Sequence, residues 1–245
     1  MHTLPVYELL KEAAFKWPHN PAVYDDYGML SFQQLFAETE SLRLRLIRLG
    51  IKEGMGIGVM AANGRNFIIG IFAAVGTGAT VMPMSPQLKK AEIEEILQEA
   101  KLHAIMDDHS TLQPLENTEA ILPLQNGSFR FAFTQVDPSV EFAPFVHQPA
   151  FIRFTSGTTG KSKGVLVSHQ SVIERIHGAN NGLELGPSDT VIWVLPMAYH
   201  FIVSVILYVR FGTAIAIAKD FLAKNIIQIT NSHQGTLLYA SPVQI

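Results

Sequence analysis

Phe151-Ile152-Arg153-Phe154-Thr155-Ser156-Gly157-Thr158-Thr159-Gly160-Lys161-Ser162-Lys163-Gly164-Val165-Leu166-Val167-Ser168-His169 is the most informative stretch of the chain. The ten residues from Thr155 to Gly164 are all glycine, hydroxyl or lysine. That composition suits a phosphate cradle. Glycines let backbone N–H groups approach closely, hydroxyls donate further hydrogen bonds, and lysine adds charge. Phe151 to Phe154 is β-prone, and Val165 to Val167 is apolar and again β-prone, so the loop reads as strand, loop, strand. A helix then opens at Ser168 and covers Val172, Ile173 and Ile176. A Walker-type loop competes, because Gly160-Lys161-Ser162 matches its last three positions. Its leading glycine falls on Thr155, however, and such a loop should run straight into a helix. A Walker-type NTPase is therefore the minor alternative.

Moving outward, helix and strand alternate. Ser31 opens a helix, with Gln34 completing a capping box, and Phe32, Leu35, Phe36, Leu42, Leu46 and Leu49 follow helical spacing to Gly50. A strand is expected at Ile57 to Ala61, an apolar helix at Phe67 to Val75 and a strand at Thr80 to Pro83. Lys89 to Lys101 is an amphipathic helix, with Ile93, Ile96, Leu97 and Ala100 inside and Glu92, Glu95 and Glu99 on a solvated face. His103 to Met106 reads as the next strand, stopped by Asp107 and Asp108. The alternation predicts an α/β fold with partly parallel, mixed sheets flanked by helices. It divides the chain into a first α/β segment (1–108), an irregular connector carrying short strands near Arg130 to Thr134 (109–150), and a third segment that holds the loop and the elements after it (151–245).

Composition narrows the classes further. Of 245 residues, 48% are hydrophobic and only 16% charged, with 18 basic against 21 acidic and a net charge of −3. Such a chain is neither disordered nor a general nucleic-acid binder, which would show a basic excess. Cysteine is absent, so no disulfide, zinc-thiolate site or cysteine nucleophile exists, in keeping with a reducing compartment. The first residues interleave Glu8, Lys11 and Glu12 with apolar positions, unlike a signal peptide, and a cytoplasmic location is expected. Asn66 to Leu88 and Thr190 to Val209 lack any acid, lysine or arginine. Pro83 and Pro86 interrupt the first and Pro196 the second, so both read as buried core rather than transmembrane spans.

Residues 151–172, FIRFTSGTTGKSKGVLVSHQSV, resemble the phosphate loop of the adenylate-forming superfamily, which includes acyl-CoA synthetases, luciferases and adenylation domains of peptide synthetases. The family pattern is Ser/Thr-Ser-Gly-Ser/Thr-Thr-Gly-x-Pro-Lys-Gly, and the one departure is Ser162 at the proline position. Pro5 to Ser85 is similar to the family's N-terminal layout, with landmarks at Phe32, Asn63, Gly78 and Val81-Met82-Pro83. Leu195 to His200 resembles the motif at the acyl pocket, and Thr236 to Pro242 the strand and proline beyond it. The family's Tyr-Gly-x-Thr-Glu and Thr-Gly-Asp segments have no match, nor does the mobile C-terminal domain with its catalytic lysine. The resemblance therefore implies the incomplete N-terminal large domain of an adenylate-forming enzyme, inactive by itself.

What the resemblance implies chemically is a ligase of the acyl-CoA synthetase type using ATP, Mg2+ and CoA. Thr155, Ser156, Gly157, Thr158, Thr159 and Gly160 would grip the β- and γ-phosphates, with Lys163 as a further charge partner. Tyr199 and His200 would form a gate or carboxylate-side element, and His169 would cap or orient the helix that comes after it. No metal ligand is assigned. Residues 199–204, YHFIVS, contain no acid to pair an α-ammonium, which favours a fatty or aryl acid over an amino acid. The expected partners are thus a small carboxylic acid, ATP and CoA. Peripheral membrane contact and homo-oligomer formation stay open, and a truncated nucleotide-binding or interaction module is the alternative.

Overall fold

A computed structural model describes residues 5–112, 115, 117–155 and 163–241. The chain runs α1 (Val6–Lys16), β1 (Pro21–Asp25), β2 (Gly28–Ser31), α2 (Phe32–Leu49), β3 (Gly56–Met60), α3 (Arg65–Val75), β4 (Thr80–Met84), α4 (Lys90–Ala100) and β5 (Ala104–Asp107). It continues through β6 (Ala120–Leu124), β7 (Gly127–Phe133), β8 (Pro149–Thr155), β9 (Lys163–Ser168), α5 (His169–Leu183) and β10 (Thr190–Trp193). The last elements are α6 (Met197–His200), a π-helical turn (Phe201–Val205), α7 (Ile206–Phe211), β11 (Ala214–Ile217), α8 (Ala223–Ser232) and β12 (Leu237–Tyr239).

Two mixed sheets result. One has the order β6-β7-β5-β3-β4-β8-β9, the other β12-β10-β11-β1-β2. In the larger sheet β5, β3, β4 and β8 are parallel neighbours, and antiparallel pairs close both sides, β5 with β7 and β8 with β9. In the smaller, β12, β10, β11 and β1 are parallel, and β2 pairs antiparallel at the edge. The smaller sheet joins the beginning of the chain to its last third.

The expected elements form for the expected reasons. The Ser31 side chain accepts from the Gln34 N–H while the Ser31 N–H donates to the Gln34 side chain, a complete capping box, and Gly50 ends α2 at φ 102°. Every residue of β3 and β4 is buried, as strands covered on both faces must be. Both charge-free runs fold into buried elements. The first becomes α3, a turn and β4; the second becomes β10, α6, the π turn and α7. Phe201 of the π turn packs edge-on against Phe67 and Phe72 of α3, with centroids 5.6 and 5.9 Å apart. Among the described residues no helix is long and apolar enough to cross a membrane.

Two expectations change. Asp107 does not stop β5 but is its last residue, fully buried, because Arg130 of the neighbouring β7 meets its carboxylate at 2.5 Å. A buried carboxylate is tolerated in a strand when a guanidinium neutralises it. Within 109–150, β6 and β7 form a hairpin that extends the larger sheet.

Candidate functional site

The loop at 156–162 joins β8 to β9, whose backbones pair antiparallel from Pro149 with Ser168 to Thr155 with Lys163. Thr155 and Lys163 are therefore cross-strand partners at the mouth of the hairpin. Ser156, Gly157, Thr158, Thr159 and Gly160 lie outside the described residues. Because the loop returns into a strand rather than a helix, the Walker arrangement does not apply to it. The next helix, α5, begins one strand later and is capped by Ser168, whose hydroxyl accepts from the Ser171 N–H.

His169, the first residue of α5, does not cap its own helix. Its Nδ1 accepts the N–H of Val6 at 3.1 Å, serving the first turn of α1, where Pro5 offers no side-chain cap. Burial pushes the His169 ring down to about 4, so it stands neutral as an acceptor.

Tyr199 and His200 end the short α6, directly before the π turn. Tyr199 is 51% exposed, while its carbonyl accepts from Arg153 Nη2 of β8 at 2.8 Å. His200 lies edge-on to Trp193 of β10 and Tyr239 of β12, its Nδ1 3.4 Å from the Tyr239 hydroxyl. Burial, then the nearby Arg153 charge, hold its ring below the ordinary histidine range. The Tyr199–His200 turn and the β8–β9 hairpin thus meet through Arg153.

Asn63 fixes the approach to this turn. Its Nδ2 donates to the Leu195 carbonyl at 2.8 Å and its Oδ1 accepts the Met197 N–H at 2.8 Å. The loop after β3 is thereby fastened to the loop after β10.

These loops frame a cleft of about 760 Å³ at the carboxyl ends of five strands. Ala61 to Asn63 follow β3, Ser85 to Leu88 follow β4, Val194 to Tyr199 follow β10, Ile217 to Phe221 close β11, and Asp25 and Asp26 end β1. In α/β sheets ligands settle at such carboxyl ends. A larger cavity of about 1080 Å³ opens at the opposite ends of the strands, beside Gly54, Thr80 and Pro149, away from Tyr199 and His200. The candidate site is the smaller cleft together with the β8–β9 hairpin mouth. Among the described residues no three His, Asp or Glu side chains converge as a metal set.

The family profile described as "AMP-binding enzyme" matches residues 10–245. The chain belongs to this family. Adenylate-forming relatives span two kinds of enzyme. Gramicidin S synthase 2 from Brevibacillus brevis is 25% identical over 244 residues, covering 97% of this chain and 5% of the synthase. The N-terminal domain of FACL13 from Mycobacterium tuberculosis superposes with a TM-score of 0.81 at 20% identity, over 98% of this chain and 63% of that domain. A long-chain-fatty-acid-CoA ligase, FadD1 from Archaeoglobus fulgidus, gives 0.81 at 19% identity over 99% and 52%. The two superpositions establish the α/β fold of an AMP-binding enzyme's N-terminal domain. The chain spans less than a tenth of the curated synthetases it matches.

Sequence reasoning named Asn63 as a landmark without its partners, which lie 132 and 134 residues away. Arg153 has no role in the motif that marks the loop. An arginine in a β-prone run that continues into a Gly-rich loop was the available signal.

Proposed function

We propose that this chain is the nucleotide- and acid-binding N-terminal part of an ATP-dependent carboxylic acid–CoA ligase acting on a fatty or aryl acid. A substrate carboxylate oxygen attacks the α-phosphorus of ATP, the α–β phosphoanhydride bond breaks, and pyrophosphate leaves. The CoA thiolate then attacks the acyl carbon of the adenylate and expels AMP. Both steps depend on positioning and on neutralising polyphosphate charge.

The observation that carries this reading is the strand–loop–strand hairpin whose loop is glycine, hydroxyl and lysine throughout. In it Thr155, Ser156, Gly157, Thr158, Thr159 and Gly160 hold the β- and γ-phosphates, and Lys163 adds charge. Magnesium, when bound, offsets phosphate charge. Tyr199 lines the cleft, and the adjoining His200, flanked by aromatic rings, is assigned with it to the acid side.

The synthetase relatives make amino-acid activation the rival reading. An α-ammonium needs an anionic partner, and the recorded neighbours of His200 are Trp193, Tyr239 and Arg153. Of the carboxylates around the cleft, Asp25 is engaged by Arg65, Asp220 by Asn225 and Glu92 by the Lys89 N–H, so Asp26 is the acid that an ammonium would have to reach.

Calorimetric titration of Mg-ATP into the chain tests the loop. Gly157→Val or Thr158→Val should weaken binding at least about tenfold, the scale of one or two lost charge-assisted hydrogen bonds. Equal affinity in both variants would sink the reading. With the complete protein, pyrophosphate exchange driven by amino acids and not by fatty or aryl acids would overturn the substrate class.

A further inference from the structure

Arg153 stands two residues before the phosphate loop opens. It is surface-exposed on β8, opposite Val165 of β9. Its Nη2 reaches across to the Tyr199 carbonyl at 2.8 Å, and no ion pair with an acid engages it among the described residues. A guanidinium carries five donors in a rigid fork, of which this contact uses one. An uncompensated cation is thus held at the seam between the hairpin and the acid-side turn. The turn it holds is short: α6 spans Met197–His200, and the π turn at Phe201–Val205 interrupts regular helix directly after it. Such single π turns are frequent at functional sites.

We propose that Arg153 is a positioning residue that ties the Tyr199–His200 turn to the phosphate-loop hairpin, so that phosphate in the loop is felt at His200. This rests on the reading of the 155–164 loop as a phosphate cradle. A polyphosphate anion arriving there is the opposite charge that Arg153 lacks. Attraction to it redistributes the guanidinium between the anion and the Tyr199 carbonyl. It also screens the positive charge that disfavours a proton on His200. The loop and the acid-side wall then respond to one ligand together, although no backbone hydrogen bond joins them directly among the described residues. The other groups recorded around His200 are Tyr239 of β12 and Trp193 of β10. With no carboxylate among them, Arg153 is the charge that His200 reports.

The test tracks the His200 ring by NMR in the histidine-labelled chain, with His200→Asn giving the assignment. The wild type, Arg153→Met and Arg153→Lys are each titrated with acid, with and without saturating inorganic pyrophosphate. Without ligand, Arg153→Met should raise the His200 midpoint, and Arg153→Lys should keep it near wild type. Pyrophosphate should raise the wild-type midpoint and leave that of Arg153→Met in place. An unchanged ligand-free midpoint in Arg153→Met overturns the tie. Pyrophosphate binding that moves His200 equally in wild type and Arg153→Met overturns the coupling alone. Failure of the wild type to bind pyrophosphate overturns the loop reading and the coupling with it, while the ligand-free comparison separately reports whether Arg153 acts on His200.

Discussion

Asn63 holds Met197 by its backbone, accepting the N–H on Oδ1 at 2.8 Å while its own Nδ2 donates to Leu195 two residues earlier. One side chain after β3 thereby sets the backbone of the turn that leads into Tyr199 and His200. Replacing Asn63 with alanine leaves the Met197 N–H and the Leu195 carbonyl without that partner. Stability should fall by about 2 kcal/mol, the scale of two partly buried hydrogen bonds. Asn63→Asp should not rescue the loss, because it keeps an acceptor for Met197 but turns a carboxylate oxygen toward the Leu195 carbonyl. Urea unfolding of both variants checks this, and a loss under about 0.5 kcal/mol for alanine would contradict it.

The ion pair between Arg65 and Asp25 is nearly closed to solvent, with side chains 4% and 8% exposed and an Nη2–Oδ1 distance of 2.6 Å. The Arg65 Nη2 also donates to the Gly28 carbonyl, which fastens the β1–β2 hairpin to the start of α3. Arg65→Met strands a buried carboxylate and should cost about 3–5 kcal/mol. Adding Asp25→Asn removes the stranded charge and should recover part of that loss. A double variant no more stable than Arg65→Met would show that packing, not charge, sets the penalty.

Ser31→Ala removes the acceptor half of the capping box at α2 and should lower stability by about 1 kcal/mol. Gly50→Ala forces a side chain into φ 102° and should cost at least about 1 kcal/mol. Thermal melts of the single and double variants should add, because the two sites sit at opposite ends of an 18-residue helix. Marked non-additivity would mean that α2 frays as a unit.

Stability should also depend on His169 in acid. Its folded-state ring titrates at about 4, below the ordinary value of 6.5. The unfolded chain therefore binds a proton first. The contribution of the neutral ring is complete above pH 6.5 and is lost progressively as pH falls toward 4. Protonation of Nδ1 would also end its acceptance from Val6. Between about pH 7 and about pH 4.5, His169→Gln should show a flatter decline than the wild type, read from urea midpoints. Parallel curves would contradict the assignment.

Much of this architecture is written locally in the chain. The run from Ser31 to Gly50 carries its own cap, apolar stripe and stop, and the β8–β9 hairpin announces itself through the β-prone flanks of its Gly-rich loop. The β3, α3, β4 and α4 succession is legible for the same reason. Other features depend on partners far away in sequence. Asp107 looks like a strand stop until Arg130 arrives, 23 residues on, to neutralise it. The β1–β2 hairpin is given its place in a sheet only when β11 pairs alongside β1. The π turn has no marker in Phe201 to Val205, because a run of this apolar character fits any buried helix. The site divides in the same way. The loop is visible as composition, whereas the Arg153 and Asn63 contacts exist only once two loops and a strand have been brought together.

The contact between His169 and Val6 spans 163 residues and supplies an acceptor that the start of α1 does not find in its own side chains. The first helix can thus be fully terminated only after the β8–β9 hairpin has formed and delivered the start of α5. Closing so long a loop carries an entropic cost that neighbouring contacts do not. A helix whose acceptor lies 163 residues further along the chain should be among the last elements to lock. Its amides should exchange with solvent sooner than those of α2, whose cap is built from its own sequence.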